Sequence, residues 1–449
     1  MAETFVIVHG WSDESSSFKK LAQFLRVNLS TSITSINLGD WLSMNDDVTY
    51  QDLAEAMNRA WIEIGLPTKN RTANIIVHST GALIVREWMT TYFTAESVPI
   101  KRFVMLAPAN FGSPLAHKGR SFIGRAVKGW GNDGFETGKA ILKGLELASP
   151  YTWNLAHRDL FTDTAWYGVG KILATVLVGN KGYGGMRAMA NEEGSDGTVR
   201  ISTANLNSMK IRIELDEQQT PRKPMLMQSN GQIAFGILDE INHTTITLSE
   251  ARSPNPENVL EKLILRSLQV TGNDYSVNGL SFPWQDEINA IVGDTAKTSA
   301  RMQNAVVRVG DNLGNKIDDY FVEFYRTESN DQAFEYELYT KFLDTVHTYC
   351  DDGSYRSLYL NIGELMRINK TDAMAINQLF VSISAQPIYL ETTKKRQPVG
   401  YAPVDSGAPG GLKLNQTQIE QFFQPHRTVL IDVVLTRALS ADVFKFTSV

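Results

Sequence analysis

The chain has 449 residues, 43% of them hydrophobic and 20% charged, with a formal net charge of −6. At roughly 100–200 residues per domain this length predicts two or three domains, and a mildly acidic balance with no basic cluster excludes a nucleic-acid partner. The only cysteine is Cys350, which excludes an intrachain disulfide and a multi-cysteine zinc site and fits a reducing compartment.

The chain starts "MAETFVIVHGW", acidic at Glu3, with no basic segment or cleavage pattern of a secretory signal. No apolar stretch reaches about 18 residues, so no membrane span is expected. The expected location is cytoplasmic; export by a leaderless route is compatible with the same sequence.

Short β-rich runs then alternate with amphipathic windows. "TFVIVHG" predicts a buried strand, "SSSFKKLAQFLRVN" a helix, "TSITSINLG" a strand and "TYQDLAEAMNRAWIEIGL" a helix. "ANIIVHS" is again a strand, "TGALIVREWMTTYF" a helix and "IKRFVMLAP" a strand. This alternation predicts a mostly parallel sheet with helices on both faces. Residues 111–170 break the rhythm with a Gly-rich, aromatic-bearing insertion, too long for a plain connection. Ile141, Leu142, Leu145 and Ala148 share one helical face, and Phe122, Ile123, Val127 and Trp130 another. Two readings stay open here, a helical subdomain packed on the core and a mobile lid.

The theme resumes with "KILATVLVGN", the loop "EEGSDGTVRISTANL", the strand candidate "SMKIRIEL", "AFGILDEINHTTIT" and a last helix "NPENVLEKLILRSLQV". Beyond it, aromatic and β-branched runs separated by Gly, Asn and Asp turns predict an antiparallel sandwich-like all-β domain. The expected division is a catalytic domain over 1–271, a linker or helical connection over 272–300 and the β-rich domain over 301–449.

The chemistry centres on Val77-His78-Ser79-Thr80-Gly81, between a strand and a helix. A serine on such a turn can be lifted above the sheet edge beside a helix N-terminus, as an acyl-transfer nucleophile requires. It can equally be an ordinary helix cap. "GSDGTV" places Asp196 in a turn after one strand, and "INHTTIT" places His243 in a loop after another. The order Ser79, Asp196, His243 is the one used by one triad fold among several. His9 and His78 flank the strands and are expected to hold loops; His117 and His157 lie in the insertion, and His347 and His426 in the last domain. His9-Gly10-Trp11 ends the first strand at the same sheet edge.

On "FVIVHGW", "VHSTG", "APANFGSPLA", "GSDGTV" and "INHTTIT", spread over about 5–250, the chain resembles the lipase and esterase branch of the α/β-hydrolase superfamily. The C-terminal domain carries no such resemblance. The resemblance implies an α/β-hydrolase fold, Ser79 as nucleophile, His243 as general base, Asp196 as its orienting acid, and the backbone N–H groups of Trp11 and Thr80 as an oxyanion hole. Val77 departs from the Gly or Ala usual at its position.

The expected activity is a lipase-like or phospholipase-like serine ester hydrolase working through an acyl-enzyme. A non-lipid carboxylesterase or thioesterase, and a binding or adhesion protein with a vestigial hydrolase, stand as alternatives. Trp130 and Trp153 in the insertion fit a cover for a long acyl chain. The expected partner is a lipid or ester substrate, compatible with a transient membrane-surface contact; no partner is assigned to the last domain. No cofactor is expected. The acidic loop "NEEGSDG" could attract calcium, yet reads as a solvated turn, so no metal is expected.

Overall fold

The computed structural model describes residues 3–8, 18–36, 46–116, 138–185, 188, 191–216, 222, 224–249, 258–325, 336, 338–371, 378–387, 399–401 and 412–438. Contacts divide the chain into two units, Met1–Asn207 with Ser229–Ala300, and Ser208–Gln228 with Arg301–Val449. Among the described residues no helix is long and apolar enough to cross a membrane.

The first unit is built on six parallel strands, β1 (Thr4–Val8), β2 (Ile33–Ile36), β3 (Ala73–His78), β4 (Ile100–Leu106), β5 (Leu173–Gly179) and β8 (Ile233–Leu238). Their order is β2-β1-β3-β4-β5-β8. The apolar runs of β3 and β5 are buried along their whole length, as strands covered on both faces must be. Helices α1 (Lys19–Leu29) and α6 (Val259–Ser267) share one cluster with Phe5, Ile7, Ile76, Val104 and Leu106. Residues of alternate parity, such as Val6, Ile75 and Val77, are equally buried and face the other side. There lie α2 (Tyr50–Glu63) and α3 (Gly81–Tyr92), with the Trp61 and Trp88 rings 4.8 Å apart. Asn258 starts α6 by accepting the Glu261 N–H at 2.8 Å.

Within the insertion, α4 (Lys139–Leu145) and α5 (Pro150–Asp159) bury Ile141, Leu142 and Leu145, and Ala148 is buried between them. These two helices pack on each other, and α5 packs on α3. Phe122, Ile123, Val127 and Trp130 lie outside the described residues. Trp153 is packed inside, 4% exposed, with its ring 5.6 Å from that of His157 and tilted to it.

Two expected boundaries need correction. Residues 272–300 are not a connection. Trp284, Tyr275 and Ile288 are fully buried, the Trp284 indole N–H donates to Thr175 Oγ1 at 2.9 Å, and α7 (Pro283–Val292) packs on β8. "SMKIRIEL" leaves the first unit. It forms β6 (Met209–Glu214), whose neighbours are β7 (Met225–Gln228) and β15 (Thr428–Leu435). Its burial alternates residue by residue, the pattern of a sheet with one covered face.

The second unit holds a six-stranded sheet that also includes β9 (Met302–Asp311), β11 (Leu343–Thr348) and β12 (Tyr355–Asn361), in the order β11-β12-β9-β15-β6-β7. A three-stranded sheet joins β10 (Tyr320–Tyr325), β13 (Gln378–Ala385) and β14 (Leu412–Asn415). Ile211, Val307, Leu360 and Val433 of the first meet Phe324, Leu379 and Leu414 of the second in one core, a sandwich-like arrangement. The larger sheet is mixed, since β15 runs parallel to both β6 and β9. Helices Ile362–Thr371 and Gln416–Phe422 accompany the strands.

Candidate active site

Strand β3 ends at His78, and α3 begins at Gly81, so only Ser79 and Thr80 make the turn. Ser79 has φ of 54°, the left-handed region, which costs a side-chain-bearing residue about 1–2 kcal/mol. The turn is held by its backbone. Ser79 N–H donates to Leu106 O at 3.1 Å, and Ser79 O accepts from Ala82 and Ala109, each at 3.3 Å. Thr80 occupies the cap position of α3, and no side chain there makes a capping bond. Ser79 is therefore not a helix cap; its hydroxyl is turned elsewhere.

It meets the imidazole of His243, with Ser79 Oγ 3.1 Å from Nε2. On the other side of the ring, Nδ1 lies 2.9 Å from Asp196 Oδ2. Asp196 Oδ1 is occupied by the N–H groups of Thr198 at 2.9 Å and Val199 at 2.8 Å, which leaves Oδ2 to the ring. An ionised Asp196 only accepts, so Nδ1 carries the ring proton and Nε2 presents a lone pair to the serine hydroxyl. His243 and Asp196 are 3% and 0% exposed, whereas Ser79 is half-buried, so of the three the serine is the most open to solvent. Three residues far apart in sequence thus form one directed hydrogen-bonded chain.

The loops arrive by local means. Gly197 has φ of 94°, which lets the chain fold back so that Asp196 caps its own turn. Gly179 closes β5, and a Cβ there would stand 1.9 Å from Ile241 O. Only glycine allows the histidine loop so near. The glycine after "KILATVLV" is a visible signal for such an approach, and one that spacing among the polar motifs does not reveal.

Thr80 directly follows Ser79 in the turn and is 8% exposed. Trp11, with His9 and Gly10, lies outside the described residues. Among the described residues no group of three or more His, Cys, Asp or Glu side chains is placed to hold a metal ion. In the acidic loop, Glu192 is bound to Arg200 at 2.8 Å. His157 Nδ1–H donates to the Trp153 carbonyl, 2.8 Å away.

Beneath the turn lies a buried network not signalled by any motif. Arg86 of α3 grips Asp159 of α5 through Nε at 2.7 Å and Nη2 at 2.8 Å, and Tyr167 donates its hydroxyl to Asp159 Oδ2 at 2.8 Å. Arg86 Nη1 also donates to Asn110 O at 3.2 Å.

Val77, the larger residue where the resembling family keeps Gly or Ala, is fully buried in β3 opposite Met105. The serine turn forms above it all the same, so the space is already fitted to valine. Val77→Ala is expected to lower stability by about 1–3 kcal/mol through a cavity. It should leave the rate of Ser79 labelling unchanged. Chemical denaturation and labelling kinetics on one preparation check both; faster labelling in the smaller variant would show that Val77 strains the turn.

No protein-family profile matches the chain, and no curated protein does. Among solved structures it is similar to phospholipase PlaB from Legionella pneumophila, with a TM-score of 0.82 and 23% identity, covering 99% of this chain and 96% of that one. It is similar also to PlaB in complex with thio-NAD, with a TM-score of 0.80, 23% identity and the same coverage. The likeness spans both units, and with the parallel sheet order it establishes an α/β-hydrolase fold joined to a separate unit of mixed and antiparallel sheets.

Proposed function

We propose that the chain is a serine ester hydrolase that cleaves lipid carboxylic esters through an acyl-enzyme. The observation that carries this reading is the relay from Ser79 Oγ through the His243 ring to Asp196 Oδ2, with bonds of 3.1 and 2.9 Å. In acylation, Ser79 Oγ attacks the ester carbonyl carbon while His243 Nε2 takes the hydroxyl proton. The tetrahedral oxyanion is held by the Thr80 N–H at the start of α3, where the helix dipole adds favourable charge. Trp11 N–H is the proposed second donor. Collapse expels the alcohol, which receives the proton from Nε2. Water then repeats the sequence on the acyl-serine, releasing the acid and restoring Ser79. Asp196 holds the ring and faces the imidazolium charge while it exists.

The lipid part rests on the fold's similarity to a protein described as a phospholipase, which makes glycerolipid or phospholipid esters the first substrates to offer. The test is a panel of carboxylic esters and phospholipids of varied acyl length, with the wild type and a fluorophosphonate probe. Turnover of long-chain lipid esters and a probe adduct mapped to Ser79 are expected. Folded protein that turns over no acyl ester would end the hydrolase reading, and turnover of short soluble esters alone would end the lipid part.

A further inference from the structure

We infer that His78 is a positioning residue for this reaction, the one that fixes the height of the His243 ring above the nucleophile. The inference rests on the triad reading above. His78 is the last residue of β3 and directly precedes Ser79, and it is 4% exposed. Its Nε2 lies 2.9 Å from the backbone oxygen of His243. A carbonyl oxygen only accepts, so the His78 ring N–H donates.

His243 is thereby held at both ends of its own backbone. Its N–H donates to Asp196 O at 3.0 Å, and its C=O receives the His78 N–H. Its ring meets Asp196 and Ser79. The carboxylate loop grips the histidine twice, and among the described residues His78 is what ties the histidine main chain to the strand that carries the serine. The two imidazoles lie 4.5 Å apart between centroids with planes at 45°, and the Phe18 ring packs 5.8 Å from that of His78. His78 has little freedom to follow a moving loop. The Ser79–His243 distance is thus referenced to β3 through a contact one residue from the nucleophile, instead of through the long path by way of β5 and the carboxylate turn. Displacement of a reacting group by about 1 Å costs on the order of 10²-fold in rate, so a bond that fixes this distance is expected to show in kcat.

The test compares His78→Gln with His78→Met in the full-length chain. The two side chains are close in shape, and only glutamine offers an N–H where His78 Nε2 stands. His78→Met is expected to lower kcat on the best ester about 10- to 100-fold with KM nearly unchanged, and to slow fluorophosphonate labelling of Ser79 alike. His78→Gln should recover kcat to within about threefold of wild type, the order expected when the donor is kept. Equal kcat in the methionine variant and the wild type would overturn the inference. Equal loss in both variants would do so too, because the donor would not be what matters. Loss of folding in His78→Met would make the bond a requirement of the fold and not of the reaction, which also overturns it. Ser79→Ala is run beside them: if it keeps activity, the triad reading falls; if it is inactive while His78→Met is unimpaired, only the positioning role falls.

Discussion

Ser79→Ala is expected to lower kcat on the best ester substrate by about 10⁶-fold, the largest single effect at this site. In the proposed mechanism the hydroxyl oxygen becomes the ester oxygen of the acyl-enzyme, so its loss removes the covalent path and not merely part of its stabilisation. Residual turnover of about 10³–10⁴ over water can persist from oxyanion stabilisation and binding alone. Folding should be little disturbed. The left-handed φ of 54° is carried by the backbone bonds of Ser79 to Leu106, Ala82 and Ala109, which alanine keeps. Asp196→Asn provides an internal control, expected at about 10⁴-fold, because an amide facing Nδ1 favours the wrong ring tautomer. Steady-state rates, thermal midpoints and the probe adduct, measured on the three proteins, check the set. A Ser79→Ala protein within tenfold of wild type would remove Ser79 from the mechanism.

Breaking the buried pair that joins α3 to α5 is expected to have the largest effect on stability. Arg86 and Asp159 side chains are both 0% exposed and share two hydrogen bonds. Burial pulls the Arg86 pKa down, but the Asp159 carboxylate beside it outweighs this and raises it, so the guanidinium stays charged at every accessible pH. Burial, then the nearby carboxylate, raises the Tyr167 hydroxyl well above its ordinary range, keeping it a neutral donor to Asp159. Arg86→Met strips Asp159 of its only ion-pair partner among the described residues, and Asp159→Leu strands the guanidinium. Each single variant is expected to cost about 3–5 kcal/mol, while the double variant recovers much of that loss, since a well-packed apolar pair avoids both desolvation costs. Denaturant unfolding of the four proteins gives the coupling energy. Single variants that lose under about 1 kcal/mol would mean the pair is not the anchor joining α3 to α5. Because Arg86 lies within the helix that starts at the serine turn, and Asn110 follows the Ala109 N–H that binds Ser79 O, partial loss of activity is expected alongside.

The candidate site is legible in the sequence because its signals are local. A buried run ending in His78-Ser79-Thr80-Gly81, a D-G turn at Asp196 and a loop at His243 each reflect short-range rules of strand, turn and helix start. Their order along the chain selected one triad topology. The same locality marks the boundary at β6. "MKIRIE" alternates apolar and charged residues while "LATVLVG" does not, and burial follows that contrast strand by strand, with β6 covered on one face and β5 on two. Trp284 and Tyr275, large aromatic residues between 272 and 300, carry a similar signal of core membership.

Other features have no local signal. That β6 pairs with β15, more than two hundred residues onward, depends on which edge of which sheet is free when the chain folds, and alternation names a face but not a partner. Arg86 and Asp159 look like ordinary helix-surface charges until two helices bring them together in the dark of the core. Gly179 becomes necessary only once Ile241 crosses it, and the His78 bond exists only because the histidine loop comes to rest above the last residue of β3. Sequence by itself determined which atoms could do acyl transfer and on what kind of turn they stand, since those depend on dihedral preferences and side-chain chemistry within a few residues. Tertiary structure alone decided that Ser79, His243 and Asp196 stand within hydrogen-bonding distance and what clamps them there, since separation in space is set by the packing of strands and loops distant in the chain.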